Sequence, residues 1–220
     1  MGPDPIARHG WGAPQPFGAE YVWEREGPRE IHSHVTRPIV VELSGAGAHS
    51  VLDLGCGNGW FSAGLHSCGF DVTGVDNSES GLRMATRRYP DIRFLRQDLM
   101  DELEPSLVGR FDAVIAIDTI DHLPLPRRLI QTALVALKPG GLLIVTSAYH
   151  GYVKNLLLAL RGGFDEHLDP LRDHGRVKFF SRATLLALLA EFGLCEVRFQ
   201  SVGRFPLLAR AMLVSARVAK

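Results

Sequence analysis

Cysteine is scarce in this chain of 220 residues. The three cysteines, Cys56, Cys68 and Cys195, are odd in number and lie far apart in the sequence. That pattern argues against a disulfide framework, and it lacks the close pairs of a cysteine-based zinc site. We therefore predict a protein of a reducing compartment and place it in the cytoplasm.

An excess of charge of either sign is also missing, because 24 Lys and Arg residues balance 24 Asp and Glu residues. Nucleic acids and anionic membranes attract proteins that carry a basic excess. We therefore expect a small-molecule substrate and no nucleic-acid partner. For the assembly we expect a monomer or a homodimer.

Long apolar runs are absent as well. Leu156–Leu160 and Leu185–Leu189 are apolar but short, whereas a membrane-spanning helix needs about 20 apolar residues. We expect no integral membrane segment. The first residues, Met1–Glu20, are rich in Gly and Pro and do not resemble a signal peptide. The predicted organisation is a flexible N-terminal arm over 1–26 and a single domain over 27–220.

What the sequence does contain is a regular alternation of strand-like and helix-like segments. The predicted strands are Ser50–Leu54, Asp71–Val75, Ile92–Leu95, Ala113–Ile117 and Leu142–Thr146, and the predicted helices are Trp60–Ser67, Ser78–Arg88 and Pro126–Leu137. This alternation is typical of βαβ units, which build a mostly parallel sheet.

Further elements are expected on either side of this alternation. A helix should run from Pro28 to about Leu43, kinked or interrupted near Pro38. After the fifth strand, helices are predicted at Gly151–Leu160 and Ser181–Phe192, then a hairpin of Cys195–Gln200 and Ala209–Ala219 with its turn at Gly203–Pro206. The polar, histidine-containing region at about 148–180 is predicted to form a lid.

Three glycines follow the first predicted strand within Val51–Gly59, at Gly55, Gly57 and Gly59. Glycine allows a tight turn and a close approach of the backbone to a ligand. The free N–H groups at the start of the next helix favour a polar or negative ligand. Dinucleotide-binding enzymes share such loops, so the loop alone does not choose the cofactor.

Two details favour S-adenosylmethionine. The dinucleotide fingerprint has its last glycine one position later, where this chain has Trp60. Asp53 places a carboxylate beneath the loop, where it can orient the backbone or meet an ammonium group.

The next two strands also end near acids. Asp76 follows Gly55 by the roughly 20 residues at which a carboxylate accepts hydrogen bonds from ribose hydroxyls. Asp98 follows the third strand, where it can accept from an adenine amino group.

These segments resemble the class I S-adenosylmethionine-dependent methyltransferases. The motifs that carry the resemblance are Val51–Gly59, Gly74–Asn77, Arg96–Leu99, Phe111–Leu123 and Leu137–Gly141. The resemblance implies an α/β fold with a Rossmann-like, seven-stranded, mostly parallel sheet, an antiparallel last strand, and helices on both faces. It also implies cofactor contacts at Gly55, Gly57, Asp76, Asn77, Asp98, Leu99 and Ile117.

The turn after the fourth strand contains Asp118, Asp121 and His122. It should face the acceptor, because ligands of open α/β sheets bind at the carboxyl ends of the strands. It is similar to the Glu-x-x-Glu-His run of ubiquinone-biosynthesis O-methyltransferases, which is associated with a divalent cation. The resemblance implies that these three residues bind Mg²⁺. Without a metal, His122 would be the general base beside Asp118, and a structural role for this histidine stays open.

A second group of candidates follows the fifth strand. His150 competes with His122 as the general base, and Tyr149 and Tyr152 are predicted to bind the substrate. Tyr21 and Trp23, before the first helix, are expected to close the pocket over the substrate and to exclude water.

The sequence therefore predicts methyl transfer from S-adenosylmethionine to a small molecule. The expected acceptor is an oxygen of an aromatic, quinol or secondary-metabolite scaffold. Methylation of carbon or nitrogen, a nicotinamide-dependent oxidoreductase, and a non-catalytic adenosylmethionine-binding protein remain as alternatives.

Overall fold

The computed structural model describes residues 21, 23, 27–28, 30–168, 170, 174–203 and 209–219. The strands are β1 Ser50–Leu54, β2 Asp71–Asp76, β3 Arg93–Arg96, β4 Phe111–Ala116, β5 Leu137–Ala148, β6 Cys195–Val202 and β7 Ala211–Arg217. The α-helices are α1 Glu30–Gly45, α2 Trp60–Ser67, α3 Glu79–Arg88, α4 Pro126–Ala136, α5 Tyr152–Leu160, α6 Phe164–Leu168 and α7 Arg182–Ala190. Short 3-10 helices occur at Pro105–Leu107 and Ile120–His122.

The seven strands form one sheet in the order β3-β2-β1-β4-β5-β7-β6. Neighbours from β3 to β5 are parallel, and β7 runs antiparallel to both β5 and β6. This confirms the predicted seven-stranded, mostly parallel sheet with an antiparallel last strand. The strand order reverses between β1 and β4, and ligands of open α/β sheets bind in the crevice beyond such a reversal.

The sheet is covered on both faces, as predicted. Along β4, Val114 and Ala116 face a core that includes side chains of α4 and α7. The alternating residues Ala113 and Ile115 face a second core with α1 and α2. Successive strand residues point to opposite faces. A strand buried on both faces therefore has the continuous apolar sequence seen here.

Two of the differences from the predicted elements lie near prolines. Helix α1 includes Pro38 without an interruption, and a kink at Pro38 stays a prediction. Strand β5 begins directly after α4, whereas a break at Pro139-Gly140-Gly141 was expected. The pairing explains this: Phe111 faces Leu137 and Ala113 faces Leu142, so the intervening residues 138–141 form an irregularity opposite Asp112.

Part of the predicted organisation lies outside the described residues. Of the arm over 1–26, the structure describes only Tyr21 and Trp23, and the hairpin turn falls mostly in 204–208. Among the helices that the structure describes, none has the length and apolar character that crossing a membrane requires.

Candidate active site

A cavity of about 950 Å³ lies at the carboxyl ends of β1 to β4. Seven of the eight predicted cofactor-binding residues line it: Asp53, Gly55, Asp76, Asn77, Asp98, Leu99 and Ile117. They come from the end of β1, the loop after it, and the ends of the next three strands. The strand order therefore brings together segments that are far apart in the sequence.

The loop after β1 folds back over β2. The amides of Gly55 and Cys56 both donate to the carbonyl of Val75, at 2.7 and 3.0 Å. Gly55 has a φ of 81°, and a Cβ at this position would lie 2.5 Å from the side chain of Thr119. Thr119 in turn donates from Oγ1 to the carbonyl of Leu54. Position 55 therefore requires glycine for both its backbone conformation and its close contact with the turn after β4.

Asp76 connects this loop to the start of α3. Its Oδ2 accepts from the amide of Gly57 and its Oδ1 from the amide of Ser78, both at 2.8 Å. Gly57 is the predicted cofactor residue that does not line the cavity. Its contact with Asp76 nevertheless places it directly behind the cavity wall.

Asp53 is buried beneath the loop, with 1% of its surface exposed. Burial raises its pKa to about 7, against a hydrogen bond from Ser62 Oγ to Oδ2 at 2.6 Å that lowers it. The charge of Asp76 contributes a further increase. A cationic group in the cavity beside Asp53 would favour its ionised form.

The first helix supplies a cavity residue to which the sequence gave no role. His32 is buried, lines the cavity and stacks on Trp60, with ring centroids 5.3 Å apart and planes at 11°. Trp60 holds the position of the third glycine in a dinucleotide fingerprint. Its ring packs against α1 here, and no spacing rule would have paired it with His32.

Tyr21 and Trp23 both line the cavity, at the glycine-loop end. Ser78 Oγ donates to the Tyr21 carbonyl at 2.7 Å, and the Trp23 amide donates to Ser80 Oγ at 3.0 Å. The Trp23 ring packs directly against Gly57, where a Cβ would overlap the ring. The two aromatic residues therefore cover the predicted cofactor loop, and their contact with a substrate stays a prediction.

The turn after β4 forms another part of the wall, where Asp118 and His122 line the cavity. Asp118 is a non-glycine residue with a φ of 54°, and its amide donates to Thr146 Oγ1 at 3.0 Å. Nδ1 of His122 lies 3.0 Å from the carbonyl oxygen of His174. Because a carbonyl only accepts, Nδ1 carries the proton in the neutral ring and Nε2 is the basic nitrogen.

Asp121 does not line the cavity. Its side chain is 1% exposed, and its carboxylate accepts from Ser147 Oγ at 2.6 Å and from the Ala148 amide at 3.0 Å. Burial raises the pKa of Asp121 to about 6, although these hydrogen bonds and the charge of Arg176 oppose the increase.

Arg176 binds the two carboxylates that were predicted to hold a metal. Its Nη2 donates to both oxygens of Asp118, at 3.0 and 3.1 Å, and its Nε lies 3.5 Å from Asp121 Oδ2. The described residues contain no group of three or more His, Cys, Asp and Glu side chains that would hold a metal ion. The structure therefore gives the predicted Mg²⁺ set of Asp118, Asp121 and His122 no support, since a guanidinium already balances the acids.

The candidates after β5 do not reach the cavity. Tyr152 is 82% exposed on α5, and the Tyr149 ring packs over Gly151. The His150 ring lies between His167 and Phe179, with centroids 5.4 and 5.3 Å away.

Burial lowers the pKa of His150 to about 4, and the nearby charges of Lys154, His167 and Arg176 act in the same direction. A histidine with so low a pKa is a weak base at neutral pH. Of the two predicted candidates for the general base, the structure brings only His122 to the cavity.

The fold and the cavity together define a class of protein. An open sheet with its ligand cavity at the strand reversal, a glycine loop after β1 and acids at the ends of β1, β2 and β3 define a class I methyltransferase. A protein-family model described as "Methyltransferase domain" matches residues 25–197. The chain belongs to this family and is an S-adenosylmethionine-dependent methyltransferase. This decides against the nicotinamide-dependent oxidoreductase.

Similar proteins agree with this assignment. The ubiquinone biosynthesis O-methyltransferase of Xanthomonas axonopodis pv. citri (strain 306) is 28% identical over 180 residues, which cover 78% of this chain and 74% of that protein. The protein of the same name from Coxiella burnetii (strain RSA 331) is 32% identical over 147 residues, covering 65% of this chain and 62% of that protein.

A solved structure is similar in fold. It is magnesium protoporphyrin IX methyltransferase from Synechocystis PCC 6803 with bound SAH, with a TM-score of 0.64 and 21% sequence identity. The match covers 88% of this chain and 89% of that chain.

Proposed function

We propose that this methyltransferase acts on an oxygen of a small aromatic or quinol-type acceptor, with His122 as the general base. The observation that carries the proposal is the contact between His122 Nδ1 and the His174 carbonyl. With Nδ1 donating, Nε2 is the nitrogen that can accept a proton, and this supports a base role for a side chain that lines the same cavity as the cofactor residues. The names of the two relatives support oxygen as the acceptor atom.

The cavity suits a cationic cofactor that also carries hydroxyl and amino groups. Asp53, Asp76 and Asp98 contribute three carboxyl groups to its lining. In the proposal, Asp53 faces the amino group, Asp76 the ribose hydroxyls, and Asp98 the adenine amino group, with Asn77, Leu99 and Ile117 beside them. When bound, S-adenosylmethionine supplies a methyl group already activated on a sulfonium.

The protein then has two tasks, orientation and proton removal. The aromatic side chains of Tyr21 and Trp23 would shield the cofactor from water at one end. At the other end, His122 Nε2 would accept the proton of the acceptor hydroxyl. A divalent cation has no part in the proposal, because Arg176 supplies positive charge to Asp118 and Asp121.

Labelled S-adenosylmethionine and a panel of catechols, quinols, amines and carbon nucleophiles test the acceptor class. We expect transfer to an oxygen acceptor. Transfer confined to nitrogen or carbon acceptors would overturn the preference for oxygen.

The variant His122→Gln tests the base. Its kcat should fall by about 10²- to 10⁴-fold, which is the usual contribution of general-base catalysis. Cofactor affinity, measured by calorimetry, should stay unchanged. The matched control is His66→Gln on the exposed end of α2, which should keep the wild-type rate. A wild-type rate of methyl transfer in His122→Gln would contradict the assignment of His122 as the general base.

A further inference from the structure

The segment His174–Lys178 contacts the turn after β4 through both backbone hydrogen bonds and the side chain of Arg176. The amides of Val177 and Lys178 donate to the carbonyl of Asp121 at 2.8 and 3.0 Å. The carbonyl oxygen of His174 lies within hydrogen-bond distance of His122 Nδ1, at 3.0 Å. Residues 174, 175 and 177 line the cavity, so this segment forms part of the wall beside the proposed base.

Arg176 is the side chain that connects the segment to the acids of the turn. Its side chain is 33% exposed, whereas Asp118 and Asp121 are 7% and 1% exposed. Burial disfavours the charged form of Arg176, but the two carboxylates outweigh that effect and raise its pKa. An arginine stays charged at any physiological pH. The pair of acids therefore has a permanent counter-ion that belongs to the segment itself.

The geometry points to Arg176 as a positioning residue for His122. By binding Asp118 and approaching Asp121, Arg176 holds His174–Lys178 against the turn, and so keeps the His174 carbonyl on His122 Nδ1. The guanidinium takes the place that a divalent cation was expected to fill between the acids. The effect of Arg176 on catalysis rests on the proposed role of His122 as the base. The effect of Arg176 on the tautomer of the His122 ring does not depend on that role.

A purely structural ion pair is the competing explanation. Removing one partner of a buried ion pair destabilises a protein whatever its function. Loss of stability therefore cannot separate the two explanations. The protonation pattern of the His122 ring does separate them, because a neutral imidazole has two tautomers with different nitrogen resonances.

The test uses the full chain labelled with 15N at histidine, with His122→Gln to assign the His122 signals. In the wild type we expect a protonated Nδ1 and a deprotonated Nε2. In Arg176→Gln the His122 signals should shift towards the mixture of tautomers found in a free imidazole. Arg176→Lys keeps the positive charge but lacks the planar set of N–H donors of arginine. We expect this variant to fold even if Arg176→Gln does not, and its His122 signals should shift by an intermediate amount.

The matched control is Arg127→Gln. Arg127 makes an exposed two-donor contact with Glu191, at 2.6 and 2.8 Å, away from the cavity. The variant Arg127→Gln should leave the His122 signals and the rate of methyl transfer unchanged. Once a methyl acceptor is identified, kcat of Arg176→Gln should be about tenfold to a hundredfold below the wild-type value. A loss of this size is expected when a catalytic group is displaced by about 1 Å. Cofactor affinity should remain at the wild-type value.

Wild-type His122 signals in folded Arg176→Gln, or in Arg176→Lys where the first variant does not fold, would overturn the positioning role. A different outcome separates the two proposals. If the signals shift in the Arg176 variants while His122→Gln retains full activity, Arg176 positions His122 but His122 is not the base.

Discussion

The two ends of the cavity are built in different ways. At the cofactor end, formed by the loop after β1 and the turns after β2 and β3, backbone amides contact acids nearby in sequence, as Gly57 and Asp76 do across 19 positions. At the acceptor end, formed by the turn after β4 and His174–Lys178, side chains join residues 52 and 58 positions apart. At the cofactor end the acid belongs to the same βαβ unit as the loop that it holds, whereas at the acceptor end a charged side chain from a distant segment binds the acids.

Of the three changes that follow, the one with the largest expected effect breaks the cofactor end at Gly55. In Gly55→Ala, a Cβ would lie 2.5 Å from Thr119 on a backbone with a φ of 81°. The loop must move, and we expect methyl transfer at subsaturating cofactor to fall by about a hundredfold, the cost of a displacement of about 1 Å.

The control for this variant is Gly47→Ala. Gly47 has a similar φ of 67° but nothing within 4 Å of a built Cβ. It should lose stability from its backbone strain and keep its cofactor affinity. Equal losses of affinity in the two variants would show that strain, and not the contact with Thr119, sets the effect.

The second-largest effect should appear in the pH dependence of the free energy of unfolding, through Asp121 at the acceptor end. The pKa of Asp121 is raised from 3.8 to about 6, so the folded state binds this proton more tightly than the unfolded state does. Stability from this group is therefore present at low pH and is lost as pH rises through about 6. Two pKa units correspond to roughly 3 kcal/mol between about pH 4 and about pH 7.

Urea unfolding of Asp121→Asn measures this contribution. The decrease between those pH values should be smaller in Asp121→Asn than in the wild type. Asp71→Asn, at an exposed position at the start of β2, should follow the wild type. Parallel curves for Asp121→Asn and the wild type would contradict the assignment.

The smallest effect should follow removal of divalent cations. Because Arg176 binds Asp118 and approaches Asp121, chelation with EDTA should leave the rate of methyl transfer unchanged. Added Mg²⁺ should not raise it either. A rate that falls on chelation and returns with Mg²⁺ would restore the metal hypothesis for the turn.

The same contrast explains how much the sequence could predict. Gly55, Asp76 and Asp98 follow strands at fixed spacings, and parallel strands bring their carboxyl ends to one edge. Their presence in one cavity was therefore predictable. The seven-stranded, mostly parallel sheet followed from the resemblance, and the hairpin of β6 and β7 was predicted from the sequence of the tail. The structure confirms both.

The acceptor end was less predictable because its chemistry depends on contacts that no local pattern encodes. The acids Asp118 and Asp121 have the spacing of metal ligands, and only the folded chain shows Arg176 between them. The sequence also cannot show that His150 lies against His167 and Phe179 with its pKa lowered. A polar segment with several histidines and charges offered no signal for selecting position 176.

The place of β7 has a consequence for the synthesis of the chain. Strand β6 pairs with β7 alone among the strands described, and most of its side chains are exposed. When the ribosome has made β6 but not residues 211–217, β6 has neither a hydrogen-bonding partner nor much apolar surface to hold it. A chain truncated before β7 would consequently lose two strands from the sheet, and would leave β5 as an open edge available to other chains.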